Sequence, residues 1–269
     1  MQQLAFTLLI VLLYLAAATG FSLQVLRAEM GARNLRPLVI GAGSLAILGH
    51  AFLLYSQTIS GPGVNLSFFN AGSLMGWVMA AMVMLAAIRL PLNNLAVAIL
   101  PIGALTLLLS MIMGPADTGP STIPAGLEIH ILSSVLAYSV LGIAVLQALV
   151  LAYQHNQLRN RRPTGVVRAL PPLQTMEDLL FQMLWVGFAL LTLSLLSGWI
   201  FLEDIFAQHL VHKTTLSVVA WIVFATLLGG RLRYGWRGRT AVRWTLGGYA
   251  ALMLAYFGTK LVLELILQR

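Results

Sequence analysis

The stretch Leu4-Ala5-Phe6-Thr7-Leu8-Leu9-Ile10-Val11-Leu12-Leu13-Tyr14-Leu15-Ala16-Ala17-Ala18-Thr19-Gly20-Phe21-Ser22-Leu23-Gln24-Val25 contains no charged residue. Wound as an α-helix it is about 33 Å long, against about 30 Å for the hydrocarbon core of a bilayer. Its apolar residues run continuously. They do not alternate at period two, which excludes a lipid-facing barrel strand. Runs of the same kind recur at about 37–56, 71–88, 94–113, 128–153, 179–201, 214–230 and 245–267. The expected fold is therefore all-α: a polytopic transmembrane helix bundle of about eight spans.

Composition agrees with that reading. Hydrophobic residues make up 59% of the 269 positions and charged residues 9%. Soluble domains carry about a quarter charged residues, so this chain lacks the means to cover a water-facing surface. There is no cysteine, which removes disulfides, thiolate metal sites and thiol nucleophiles. The N-terminal run reads as a retained span, not a cleaved signal, because Met1-Gln2-Gln3 supplies no basic n-region.

The net charge of +8 is explained by topology. Arg27, Arg33 and Arg36 follow the first span, Arg89 the third, Arg159, Arg161, Arg162 and Arg168 the fifth, and Arg231, Arg233, Arg237, Arg239 and Arg243 the seventh. The other side holds Lys213, Lys260 and Arg269. Basic loops face the cytoplasm, so both termini are expected outside, in the periplasm of a bacterial inner (plasma) membrane. Basic loops without interleaved aromatics set topology and meet anionic headgroups; nucleic acid is not an expected partner. The chain reads as a single transmembrane domain over 1–269. Its first five spans (1–153) are joined to the last three (179–269) by a Pro-bearing cytoplasmic linker at 154–178.

Ionisable groups at membrane depth are functional candidates by default. His130 stands at the outer start of the fifth span, close after Glu128, and His212 at the outer start of the seventh. Two imidazoles facing each other across a gap between helices can ligate a haem iron axially, which needs no cysteine. His209, three residues before His212, shares a helix face with it and is an alternative ligand. Glu128, His130, His209 and His212 could also supply the convergent ligands that zinc requires. The bland alternative for all of them is hydrogen bonding to headgroups, water or a carboxylate. His50 lies inside the second span and must face the bundle interior. It is either a haem ligand within the membrane or a hydrogen-bonding partner of a Ser or Thr on a neighbouring helix. Lys260 and Glu264, four apart, read as a structural pair on the last span. Trp199, Trp236 and Trp244 fit interfacial belts.

The C-terminal third carries a resemblance. Leu216-Ser217-Val218-Val219-Ala220-Trp221-Ile222-Val223-Phe224-Ala225, Gly230-Arg231, Tyr234-Gly235-Trp236-Arg237-Gly238-Arg239 and Tyr256-Phe257-Gly258 resemble the cytochrome c assembly family. This is the haem-handling group that includes CcsA and the smaller HemX-like proteins. The short, cysteine-free form is most similar to its HemX/YpjD-type inner-membrane branch. His130 to Tyr138 resembles the family's first outer-surface haem histidine. The resemblance implies haem b at the outer face, held by His130 and a partner. It also implies a non-enzymatic role in cytochrome c assembly or haem handling, with cytochrome maturation or haem-biosynthesis proteins as partners. Full-size haem-delivering members carry a Trp-rich segment before the seventh span and a surface His after the last. Here 203–213 contains no Trp and 261–269 no His. A membrane regulator of tetrapyrrole synthesis, or a partner-binding scaffold, is the competing expectation. A transporter or a haem lyase fits less well, because no inverted repeat is evident and the haem-presenting segment is missing.

Overall fold

The computed structural model describes residues 2–26, 35–56, 65–88, 90, 92–113, 127–160, 165–201 and 211–261. Every element among them is helical. In order they are α1 (Gln2–Leu26), α2 (Arg36–Leu54), α3 (Phe68–Ala87), α4 (Asn93–Ile112), α5 (Leu127–Arg159), α6 (Gly165–Ala169), α7 (Leu173–Phe201), α8 (Val211–Tyr234) and α9 (Arg239–Met253), which runs on into a π-helical turn at Leu254–Gly258. Seven of these helices, α1 to α5, α7 and α8, are long and apolar enough to cross a membrane. The eighth expected span corresponds to α9 and its π turn; 262–269 lies outside the described residues.

Two helices outrun their apolar stretches at polar ends. Helix α5 continues from Tyr153 through Gln154 to Arg159, and α7 begins at Leu173 directly after Pro171-Pro172. Hydropathy does not register these extensions because their residues are polar, although the backbone hydrogen bonding is continuous. The segment expected to be a plain linker also holds α6, whose Val167 is buried.

The chain divides into two compact units: 1–122 with 161–171, and 123–160 with 172–269. The first unit contains α1 to α4 and α6. Its core is Ile10, Tyr14, Ala17 and Phe21 of α1 with Leu95, Ile99, Leu100 and Leu107 of α4. Lipid is as apolar as leucine, so close packing, not the hydrophobic effect, selects these contacts. Gly103 shows how: a Cβ there would lie 3.5 Å from the Gly76 carbonyl of α3 and 3.6 Å from the Tyr14 ring of α1. The large apolar side chains left outside, such as Leu38, Leu48, Phe52 and Leu85, form the lipid-facing surface.

The second unit packs α5 against α7 and α9, and α8 against α7 and α9. Helix α5 runs antiparallel to α7: the side-chain amide of Gln147 donates to the Met176 carbonyl near the start of α7, while His130, at the start of α5, meets Ser194 late in α7. The phenol of Tyr138 donates to the Leu252 carbonyl of α9 at 2.7 Å. Buried serines, glutamines and Thr245 inside, with leucines and Trp199 outside, give the inverted polarity expected of a membrane bundle.

Candidate functional site

His130 stands in the first turn of α5 and is half-buried. Its Nδ1 lies 2.8 Å from the backbone carbonyl of Ser194 on α7. A carbonyl only accepts, so Nδ1 carries a proton, and in the neutral ring Nε2 keeps its lone pair. Metal-binding histidines characteristically donate their second nitrogen to a carbonyl or carboxylate, which fixes tautomer and ring orientation. Here the carbonyl is itself held: Ser197 Oγ donates to the same oxygen at 3.0 Å, and Ser194 Oγ lies 2.7 Å from Ser134 Oγ on α5. The arrangement can present one neutral imidazole nitrogen to a soft or borderline metal such as haem iron.

His50 is built differently. It is fully buried in the first unit, and both ring nitrogens are engaged: Nδ1 with Tyr14 Oη at 3.1 Å, Nε2 with Ser73 Oγ at 2.9 Å. An iron ligand must commit one nitrogen to the metal. The geometry therefore supports the hydrogen-bonding reading and not His50 as a haem ligand. Replacing it in His50→Leu strands two buried hydroxyls and is expected to cost about 2 kcal/mol. Thermal unfolding in detergent measures this, and an unchanged midpoint would show that the triad contributes nothing.

His212 lies in the first turn of α8 and is exposed. Among the described residues no hydrogen bond or ring contact joins it to His130. Its neighbour Lys213 is the group whose charge reaches His130. His209 lies outside the described residues. Among the described residues no group of three His, Cys, Asp or Glu could hold a metal ion, so the zinc arrangement finds no support there.

The opposite end of the second unit contains a cluster that hydropathy does not single out. Gly235 and Gly238 both take positive φ (65° and 56°) in the turn between α8 and α9. This backbone region favours glycine. Trp236 folds back so that its ring covers Gly230, where a Cβ would collide with it, and it stacks near Tyr234 and Trp244. Glu177, buried in α7, fastens the turn: Oε1 accepts the Gly238 amide at 2.8 Å and Oε2 lies 3.4 Å from Arg237 Nε. Arg231 lies over the Phe181 ring, 4.5 Å from its centroid, and 3.6 Å from Asp178. Met176-Glu177-Asp178 in an otherwise uncharged helix was the available signal.

With this geometry in place, comparison with known proteins settles the lineage. The family profile described as Cytochrome C assembly protein matches residues 38–267, across both units. The chain belongs to the cytochrome c assembly family. It is 33% identical over 237 residues to the inner membrane protein YpjD of Escherichia coli, covering 86% of this chain and 88% of that one. A 28.8 kDa protein of Azospirillum brasilense is 35% identical over 143 residues, 52% of this chain and 53% of its own. The cytochrome c biogenesis protein CcsA of Trichormus variabilis is 25% identical over 91 residues, 33% of this chain and 26% of that one. No solved structure matches. As a member of this family the chain is a multi-pass helical membrane protein, and His50, His130 and His212 all fall within the matched segment.

Proposed function

We propose that this protein is a non-enzymatic, haem-binding inner-membrane protein acting in cytochrome c assembly or haem handling. His130 would hold the iron of haem b through Nε2, and His212 or His209 would supply a second imidazole. The observation that carries the reading is the Nδ1 hydrogen bond from His130 to the Ser194 carbonyl, which leaves Nε2 for a metal. The haem would supply redox-active iron; the chain's own part is to orient the imidazole through Ser194 and Ser197. The test is the haem content of detergent-purified protein from haem-replete cells, extracted and measured against protein. Stoichiometric haem supports the reading. Its absence at full expression favours the second reading, a membrane regulator of tetrapyrrole synthesis or a partner-binding scaffold. That alternative draws on the exposed position of His212.

Orientation belongs to the same proposal: the His130 end of α5 faces the periplasm and the arginine-rich turns face the cytoplasm. The natural sequence has no cysteine, so single cysteines report without background. Met113→Cys, at the exposed end of α4, is expected to react with a membrane-impermeant maleimide in intact spheroplasts. Asn160→Cys, exposed beyond α5, is expected to react only after lysis. The reverse pattern would invert the topology.

A further inference from the structure

The turn between α8 and α9 is firmly held, and it carries more arginine than the fold pairs. Helix α8 closes with the Gly235 amide on the Arg231 carbonyl at 3.1 Å and the Trp236 amide on the Gly230 carbonyl at 3.2 Å, with Gly235 in the left-handed conformation. Trp236 then joins Tyr234 and Trp244 in a row of rings, with centroids 6.4 Å and 5.4 Å apart. Amphipathic rings of this kind settle at the headgroup level of a bilayer. The row therefore places the turn at the membrane–water boundary.

Two arginines of this region have carboxylate partners: Arg231 with Asp178 and Arg237 with Glu177. Arg233, Arg239 and Arg243 are exposed, and among the described residues their side chains form no ion pair or hydrogen bond. No further acid is at hand. Between Glu128 and Glu203 the sequence has none besides Glu177 and Asp178, and between Asp204 and Glu264 none at all. Arg239 and Arg243 stand four residues apart at the start of α9, which sets their Cβ atoms about 6 Å apart on one face. They do not stabilise the helix there, because a helix start disfavours cations and the first turn of α9 contains no acid to offset them. Topology needs positive charge somewhere in the loop, not a pair on one helix face. Two guanidinium forks so spaced match the free oxygens of a phosphodiester. Leu232 and Tyr234, both largely exposed at the same level, call for apolar cover, which a lipid supplies and a soluble anion does not.

We propose that Arg239 and Arg243, presented beside the Tyr234–Trp236–Trp244 row, bind the phosphodiester of an anionic phospholipid in the leaflet that this turn meets. The site lies at the end of the unit away from His130 and does not depend on haem.

The experiment is native mass spectrometry of the full chain released from nanodiscs that contain equal amounts of phosphatidylglycerol and phosphatidylcholine. The wild type is expected to retain phosphatidylglycerol over phosphatidylcholine by about tenfold. Arg239→Gln,Arg243→Gln should retain the two nearly equally. Arg159→Gln,Arg168→Gln removes the same charge from exposed arginines elsewhere and should keep the preference. All four side chains are exposed, so both variants should fold, and far-ultraviolet circular dichroism checks that they do. A wild type without the preference, or an Arg239→Gln,Arg243→Gln variant that keeps it, overturns the site. Equal losses in the two variants would reduce the preference to diffuse surface charge and overturn it too. Displacement of the bound phosphatidylglycerol by free glycerol 3-phosphate would assign the pair to a soluble phosphate ester, and the lipid site falls.

Discussion

His130→Ala, purified from haem-replete cells, is expected to retain less than about a tenth of the haem of the wild type. The expectation follows from what the residue contributes. Loss of a residue that merely orients a metal ligand typically costs about 10–100-fold in metal affinity, and His130 is placed to be the ligand itself. The substitution should not unfold the protein. The Ser194 carbonyl keeps its bond from Ser197 Oγ, so only one hydrogen bond is lost, worth about 1 kcal/mol. The space left by the ring also provides a control. Added imidazole should restore haem binding and the wild-type spectrum, as it would not for a variant that fails through misfolding. Undiminished haem in His130→Ala would remove the ligand assignment.

The second large effect is expected at the other end of the same unit. Glu177→Ala should destabilise the protein by about 3 kcal/mol, because a buried carboxylate and its charge-assisted bond to the Gly238 amide disappear together. The adjacent Asp178 offers an internal comparison. Its partner Arg231 is 3.6 Å away and the Asp178 side chain is 52% exposed, so Asp178→Ala should cost under about 1 kcal/mol. Thermal unfolding of the two variants in one detergent separates them. Equal shifts would mean that Glu177 is no more than a surface acid and that the α8–α9 turn is held by its glycines and Trp236 alone. The same turn contains the Gly-Trp-Arg-Gly-Arg stretch by which the C-terminal third resembles its family. In the structure that stretch closes a turn, with Trp236 packed over Gly230, and it lies at the end of the unit away from His130.

The spans were legible because their signal is local: an apolar run of sufficient length needs no knowledge of its neighbours. What remained illegible depended on partners distant in sequence. His130 was visible as a polar residue at a span end, but the Ser194 carbonyl that orients it is a backbone atom 64 residues away, which no side-chain pattern announces. His50 was visible too, and only the placement of Tyr14 and Ser73 on α1 and α3 decides between its two readings. The inner extensions of α5 and α7 were hidden because their residues are polar while the helix continues. Lys213 was read as a loop charge and Lys260 as half of a helix-face pair. Their convergence on Tyr256 joins two elements that are separated by nearly all of α8 and α9.

The most direct test of the central claim is the reduced-minus-oxidised absorption spectrum of the detergent-purified wild type, recorded beside His130→Ala and His50→Leu. The wild type is expected to show a Soret band and sharp reduced bands, His130→Ala to lose them, and folded His50→Leu to keep them, because the wild-type His50 imidazole serves Tyr14 and Ser73. A spectrum lost in His50→Leu and kept in His130→Ala would contradict it, and so would a wild type with no haem bands at all.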